Sequence, residues 1–540
     1  LLCGYDAGAC VGSQKTLLAS QSRPGTSESD TEDEPIETSA LLYDSATSTF
    51  VDDHLGVQAT GAVKNILDQT REGKAIAATE CIPETDIISD IELKRPAETE
   101  LKDFGCLTTI PEWRQKDTHV FVLSDAGKPI YSRYGEESRL SSIIGVMQAL
   151  VSFVATSGDE LQSISAGERH FVFLRKPHLI FVAVGRFRDS NEHLNMLLNY
   201  VYNQILSLLT LQRIELRFER QQNLDLRRFL AGDTRLISSI IDFVEDSFGA
   251  FLQAVNCVPM ATGVRDSISQ LIIQSVKNRS RTYHHVEDVV FAVLLHRNQI
   301  VSLVRMKGQM LHPMDLHLIV NLVSSTQALK DAQTHWIPIC LPKFDANGFL
   351  YANIAYLDNQ TSLALLSVDN TQFYALQEAK DAIFECLRCT NDGEYLSVIA
   401  TAQPPTVRET GVPELRHLAY RYSPVGQFFA TQWSAPYVEM TQQSTSVSVG
   451  SRDAQALRAN ILATYRRMHA RLHNQYQPAR LVYQSTSDEA FFAWRTDTFE
   501  LYATFEPLTT KTALQEIRRT LLKWITSRKA NLFMLSSPTF

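Results

Sequence analysis

Residue types that carry out bond chemistry occur in this chain without the neighbours that chemistry requires. Gly73-Lys74 and Gly127-Lys128 resemble the end of a phosphate-cradling loop, but the glycine five positions earlier is replaced by Asp68 and Val122. His284, His285, His312 and His317 offer imidazole ligands, yet no carboxylate or thiol stands at ligand spacing from them. Cys386 and Cys389 form a lone C-x-x-C with no second pair at zinc-ribbon spacing, so they read as ordinary thiols. Phe171 and Phe173 alternate at strand spacing and are expected on a sheet face rather than on a base-stacking platform. There is no H-E-x-x-H, G-x-S-x-G or EF-hand loop. The expectation is a protein without catalytic residues, metal or cofactor, working through protein contacts.

The chain has 540 residues, 44% of them hydrophobic, which is ample for several packed cores. Its net charge of −9 is unevenly placed. Residues 1–100 hold 7 Lys and Arg against 19 Asp and Glu. An acidic arm therefore precedes a near-neutral body, which argues against nucleic-acid binding. Residues 1–115, with the run SESDTEDEPIE, read as disordered, and Ser27, Ser29 and Thr31 sit in an acidic phosphorylation context. The start, LLCGYDAGAC, does not read as a signal peptide, and eight cysteines make no disulfide scaffold, so a reducing, cytoplasmic setting is expected.

Order is predicted from about residue 116. Strands at 119–123 and 128–134 flank the turn Ser124-Asp125-Ala126-Gly127. A helix over 140–158 follows, then strands at 161–166, 170–175 and 179–185, then helices over 192–211 and 236–254. The same order returns after residue 288, and again after a Pro/Thr-rich linker at 402–412. The fold class is α+β: three modules, each a five-stranded antiparallel-rich sheet flanked by helices, spanning 116–255, 256–401 and 402–540.

Three stretches stand out. The first is LSSIIGVMQALVSFVATSG (140–158), which has no charged residue. Leu140, Ile143, Ile144, Met147, Leu150, Val151 and Val154 form an apolar stripe. The other side, with Ser142, Gly145, Ala149 and Phe153, is small and neutral, which predicts a helix buried on both sides. It is too polar to span a membrane. The second is HWIPICLP (335–342). Alternation puts Trp336, Pro338, Cys340 and Pro342 on one side and the Ile/Leu set on the other. The prolines place this strand at a sheet edge, with Trp336 facing outward. The third is basic: 16 Lys and Arg against 10 Asp and Glu from residue 408 onward. Arg466, Arg467 and Arg471 follow one helix, and Arg518, Arg519 and Lys523 another, both read as candidates for an anionic membrane surface.

The module order resembles the longin fold. HVFVLSDAGKPIYSRYG (119–135), ERHFVFLRKPHLIFVAVGR (168–186) and LPKFDANGFLYANIAYL (341–357) resemble the SAND family, the Mon-type subunit of the Mon–Ccz complex. The resemblance covers about residue 115 to the end. It implies a guanine-nucleotide exchange factor, active together with a Ccz-type subunit, for a late-endosomal Rab GTPase in endosome maturation and vacuole or lysosome fusion. It further implies recruitment by an early-endosomal Rab and a phosphoinositide-containing membrane, and a peripheral location on endosomes and the late endosome, lysosome or vacuole. Exchange breaks no bond, which fits the missing active site: it is tighter binding of the nucleotide-free GTPase. Under this resemblance Ser142, Gly145, Ala149 and Phe153 are candidates for the partner or Rab interface, and Trp336 and Pro338 for the recruiting Rab. The competing reading is a non-catalytic longin adaptor or tether.

Overall fold

The computed structural model describes residues 116–540 apart from 136–139, 187–188, 222–223, 231, 281–288, 327–333, 390–393 and 439–448. The acidic arm, its candidate phosphorylation sites and the pair His284-His285 lie outside the described residues.

The first module opens with the hairpin β1 (His119–Ser124) and β2 (Pro129–Ser132), turned through Gly127 at φ 77°. Helix α1 (Ser141–Thr156) follows, then β3 (Ser163–Ala166), β4 (Arg169–Lys176) and β5 (Leu179–Arg186). The sheet order is β2-β1-β5-β4-β3, with every pairing antiparallel. Helix α2 (Asn191–Leu209) starts at Ser190, whose hydroxyl accepts from the His193 N–H at 3.2 Å. Where one helix over 192–211 was expected, the chain turns sharply at Thr210, φ 58°, into α3 (Leu211–Arg220). A short α4 (Arg227–Leu230), then α5 (Thr234–Asp246) and α6 (Phe248–Leu252), complete the helical layer.

A two-residue strand, β6 (Val255–Asn256), leads into α7 (Thr262–Ser280). The second module then runs β7 (Val289–His296), β8 (Gln299–Arg305), α8 (Pro313–Thr326), β9 (Thr334–Leu341), β10 (Asp345–Tyr356), β11 (Thr361–Ser367), α9 (Phe373–Cys389) and α10 (Glu394–Thr401). Its sheet order, β8-β7-β11-β10-β9, repeats the first. The third module has β12 (Leu415–Tyr422), β13 (Gln427–Ala430), α11 (Val449–Leu472), β14 (Leu481–Ser485), β15 (Ala490–Arg495), β16 (Phe499–Phe505) and α12 (Ala513–Leu532).

The third sheet has six strands, not the expected five, because β6 adds in parallel beside β13. The same connector bridges Cys257 to Ile300 at the edge of the second sheet. It therefore joins two sheets whose strands are far apart in sequence. Arg265 of α7 fixes this junction. Its buried guanidinium donates to the Val258 carbonyl at 2.7 Å and to the Phe533 carbonyl at 3.0 Å.

Each sheet is covered on both faces. The helix between the second and third strands takes one face; the remaining helices take the other, in the second module the preceding α7 together with α9 and α10. The helices α1, α8 and α11 are equivalent in this scheme. Replacing Arg265 by Ala strands two buried carbonyls and opens a void, and should cost about 2–4 kcal/mol. Urea unfolding checks this; a loss below about 0.5 kcal/mol would mean that water replaces the guanidinium at the junction.

Candidate interaction surfaces

The sheet-facing side of α1 is built as its apolar spacing requires. Leu140, Ile144, Met147 and Val151 are buried, in one cluster with Phe121, Phe173 and Val182 of the sheet. Phe171 packs against the same cluster, so both phenylalanines belong to the sheet face. The other side of α1 is open. Ser142, Gly145 and Ala149 are exposed, and Val146, Leu150 and Phe153 are 58%, 41% and 58% exposed. Leu150, expected in the buried stripe, thus belongs to the open face. Burial on both sides, expected from the missing charges, is not found among the described residues. A side chain at Gly145 would meet no atom within 4 Å. On the other flank of α1, beside its last turn, lies a groove of about 650 Å³ lined by Val151 and Ala155 of the helix with Asp125, Asp159, Lys176 and His178.

The equivalent helices differ. α8 turns its outer face to the first module's helical layer: Met314 and Leu318 join that module's core. Asn321 donates to Gln204 Oε1 at 2.8 Å and to the Leu236 carbonyl at 2.9 Å. His317 bonds the Tyr200 hydroxyl at 2.9 Å and the Ala254 carbonyl at 3.1 Å, and burial pushes its pKa down to about 4. His312 accepts from the Met314 N–H at 3.1 Å, so these two histidines serve packing and helix start. α11 packs Tyr465, Met468 and Leu472 in one cluster with Phe251 and Leu252 of α6.

That packing corrects the expectation for Arg466. Its guanidinium donates to the Val244 carbonyl at 3.1 Å and to that of Glu245, at the C-terminal end of α5, where a cation suits the helix dipole. It is a contact between modules rather than a membrane ligand. Arg467 and Arg471 are exposed, and Arg467 also donates to Thr464 Oγ1 at 2.9 Å. On α12, Arg519 and Lys523 are exposed, while Arg518 stacks over Trp494 at 4.6 Å. The two basic helices lie on opposite faces of the third sheet, so they do not form one patch.

Strand β9 is at the sheet edge, paired only with β10 among the described strands. Pro338 is exposed, but the outward Trp336 is corrected. It is half-buried in the layer beneath α9, stacked on Tyr351 with centroids 5.8 Å apart and edge-on to Phe373 at 5.8 Å. Cys340, expected outward with it, is fully buried. Tyr374, next to Phe373 and 74% exposed, carries the aromatic run to the surface; no sequence pattern singled it out. Helix α2 also packs against β9.

Three family profiles cover the body of the chain. They are the first, second and third longin domains of FUZ, MON1 and HPS1, matched at residues 118–240, 287–385 and 414–529. The vacuolar fusion protein MON1 homolog A of Gallus gallus is 36% identical over 491 residues, covering 90% of this chain and 83% of that protein. The chain belongs to the MON1/SAND family. The homolog A protein of Bos taurus is 39% identical over 432 residues (79% of this chain, 73% of that one), and Protein SAND of Takifugu rubripes is 37% identical over 432 residues (79% and 78%). The three modules of this MON1-family chain are thus longin domains. No helix among the described residues is long and apolar enough to cross a membrane.

The exposed basic residues of α12 give a direct test. The double variant Arg519→Glu, Lys523→Glu should weaken binding to anionic liposomes, more at low salt than at high, because exposed charges are screened. Arg466→Glu should instead lower the melting temperature. Liposome binding unchanged in the α12 variant at low salt would remove α12 as a membrane surface.

Proposed function

We propose that this chain is one subunit of a heteromeric guanine-nucleotide exchange factor. Its partner is a Ccz-type subunit, and its substrate a late-endosomal Rab GTPase in endosome maturation and fusion with the vacuole or lysosome. The observation that carries this reading is the open face of α1. Of the other two equivalent helices, α8 is covered on its outer side by the first module, and α11 turns an apolar flank to α6 and exposes charged residues such as Arg467 and Arg471, whereas α1 exposes apolar ones. An uncharged face with Val146, Leu150 and Phe153 exposed together marks a contact surface. Small residues beside them at Gly145 and Ala149 let a second backbone approach closely. In this reading the face holds the partner and the Rab, and exchange is the tighter binding of the nucleotide-free GTPase by the assembled pair.

The aromatic run from Trp336 to Tyr374, with Pro338 beside it, is the candidate contact for the recruiting early-endosomal Rab. Its half-buried tryptophan is anchored as interface tryptophans commonly are. Arg519 and Lys523 are the candidate contacts for phosphoinositide membranes. The protein is then cytoplasmic and peripheral on endosomal and late-endosomal, lysosomal or vacuolar membranes.

The test mixes the full chain with a Ccz-type subunit and a late-endosomal Rab loaded with fluorescent nucleotide. Release should be fast with both subunits and slow with either alone. Gly145→Arg should abolish complex formation or exchange while shifting stability by less than about 0.5 kcal/mol, as an unhindered surface substitution does. If the wild-type pair assembles but does not accelerate release, the adaptor or tether reading takes its place.

A further inference from the structure

Inside the third module, away from the α1 face, two imidazoles and a carboxylate converge. His469 lies on α11 and His473 just past its end, four residues apart and so on one side of the helix. Both point at Glu500 of β16, which is only 2% exposed. His473 Nε2 is 3.1 Å from Glu500 Oε1, and His469 Nε2 is 3.9 Å from Oε2. One ligand atom from each residue fits within 4.8 Å of the others.

The surroundings hold this carboxylate in place. Tyr502 donates its hydroxyl to Oε2 at 2.9 Å, and Arg421 donates to Oε1 at 2.7 Å. The two rings stack with centroids 4.1 Å apart, an arrangement that two imidazolium cations would oppose.

We propose that His469, His473 and Glu500 bind a divalent transition-metal ion of the zinc class, which fastens α11 to β16. Two imidazole nitrogens and one carboxylate oxygen are a donor set that zinc accepts, with water completing the tetrahedron. Glu500 Oε1 accepts from Arg421 and pairs with His473, and Oε2 accepts from Tyr502, so Oε2 has a lone pair free and Oε1 gains one when His473 turns its Nε2 to the metal. Tyr502 then orients the ligating carboxylate from the outside. Access is through His473, whose side chain is 27% exposed. Binding requires the Nε2 lone pair of His473, so the proton it shares with Glu500 moves to Nδ1 or is released. Arg421 is the competing cation on the same carboxylate, and Arg495, which donates to the Leu472 carbonyl at 2.8 Å, is the other guanidinium nearby.

Cobalt(II) titration of the full chain, followed by visible absorption and by competition with zinc, tests this. One cobalt per chain should bind, with a tetrahedral spectrum that zinc abolishes. Zinc, but not magnesium, should raise the melting temperature. His473→Ala, at a partly exposed position, should weaken binding at least about 100-fold, and Tyr502→Phe about tenfold, as outer contacts do. Arg421→Gln should tighten binding by removing the competing cation, an outcome that a purely ion-paired cluster does not give. The proposal is overturned if wild-type protein takes up no stoichiometric cobalt, or if uptake is the same in His473→Ala.

Discussion

A helix lying on a sheet hides one side and leaves another to be dealt with, and this chain meets that constraint three times. The outer side of α8 and one flank of α11 carry enough apolar surface to require a second layer, and both find it in the first module's helices. α2, α5 and α6 are therefore covered from more than one direction. Met196 of α2 packs against the first module's core and also against the cluster that holds α11. The central layer leaves α1 at the outside of the assembly, with nothing from the described chain over it.

Polar groups make this arrangement specific. Buried amides and imidazoles tolerate few alternatives, since an unpaired buried donor costs about 1–3 kcal/mol. Asn321, His317, Arg265 and Arg466 each reach a partner in another module or in a connector, and each would be stranded by a shift of one helix turn. The connector at β6 adds backbone hydrogen bonds to the same end, since Val255 donates to the Gly426 carbonyl and Val258 to that of Ile300. The outer face of α8 and the apolar flank of α11 are consequently fixed inside the chain.

Local pattern made the strands and their order legible. HVFVL and LIFVAVG are strands buried on both faces, and their flanking turns at Gly127 and His178 adopt positive φ as expected of tight connections. Helix α7 was not legible because its buried Ile268, Ile272 and Val276 are interrupted by the buried polar residues Arg265, Ser269 and Ser275. β6 has two residues and exists only through distant pairing. The roles of Arg466 and Trp336 were misjudged for one reason. A lone charge or ring on an amphipathic element does not reveal what the rest of the chain brings against it, and Arg466 meets a carbonyl 221 residues away in sequence. The lack of charge on α1 was readable from sequence; that its outer side stays uncovered was not, since coverage depends on where other modules sit.

The central claim is that this uncovered side is the docking face for a second subunit. Ala149→Cys places a thiol on it at an exposed position. Its maleimide labelling rate, measured in the isolated chain and in the purified complex with a Ccz-type subunit, reads the claim directly. The account predicts fast labelling alone and at least about tenfold slower labelling in the complex, as complete burial from solvent requires. An equal rate in a stoichiometric complex would show that the partner binds elsewhere and would contradict it.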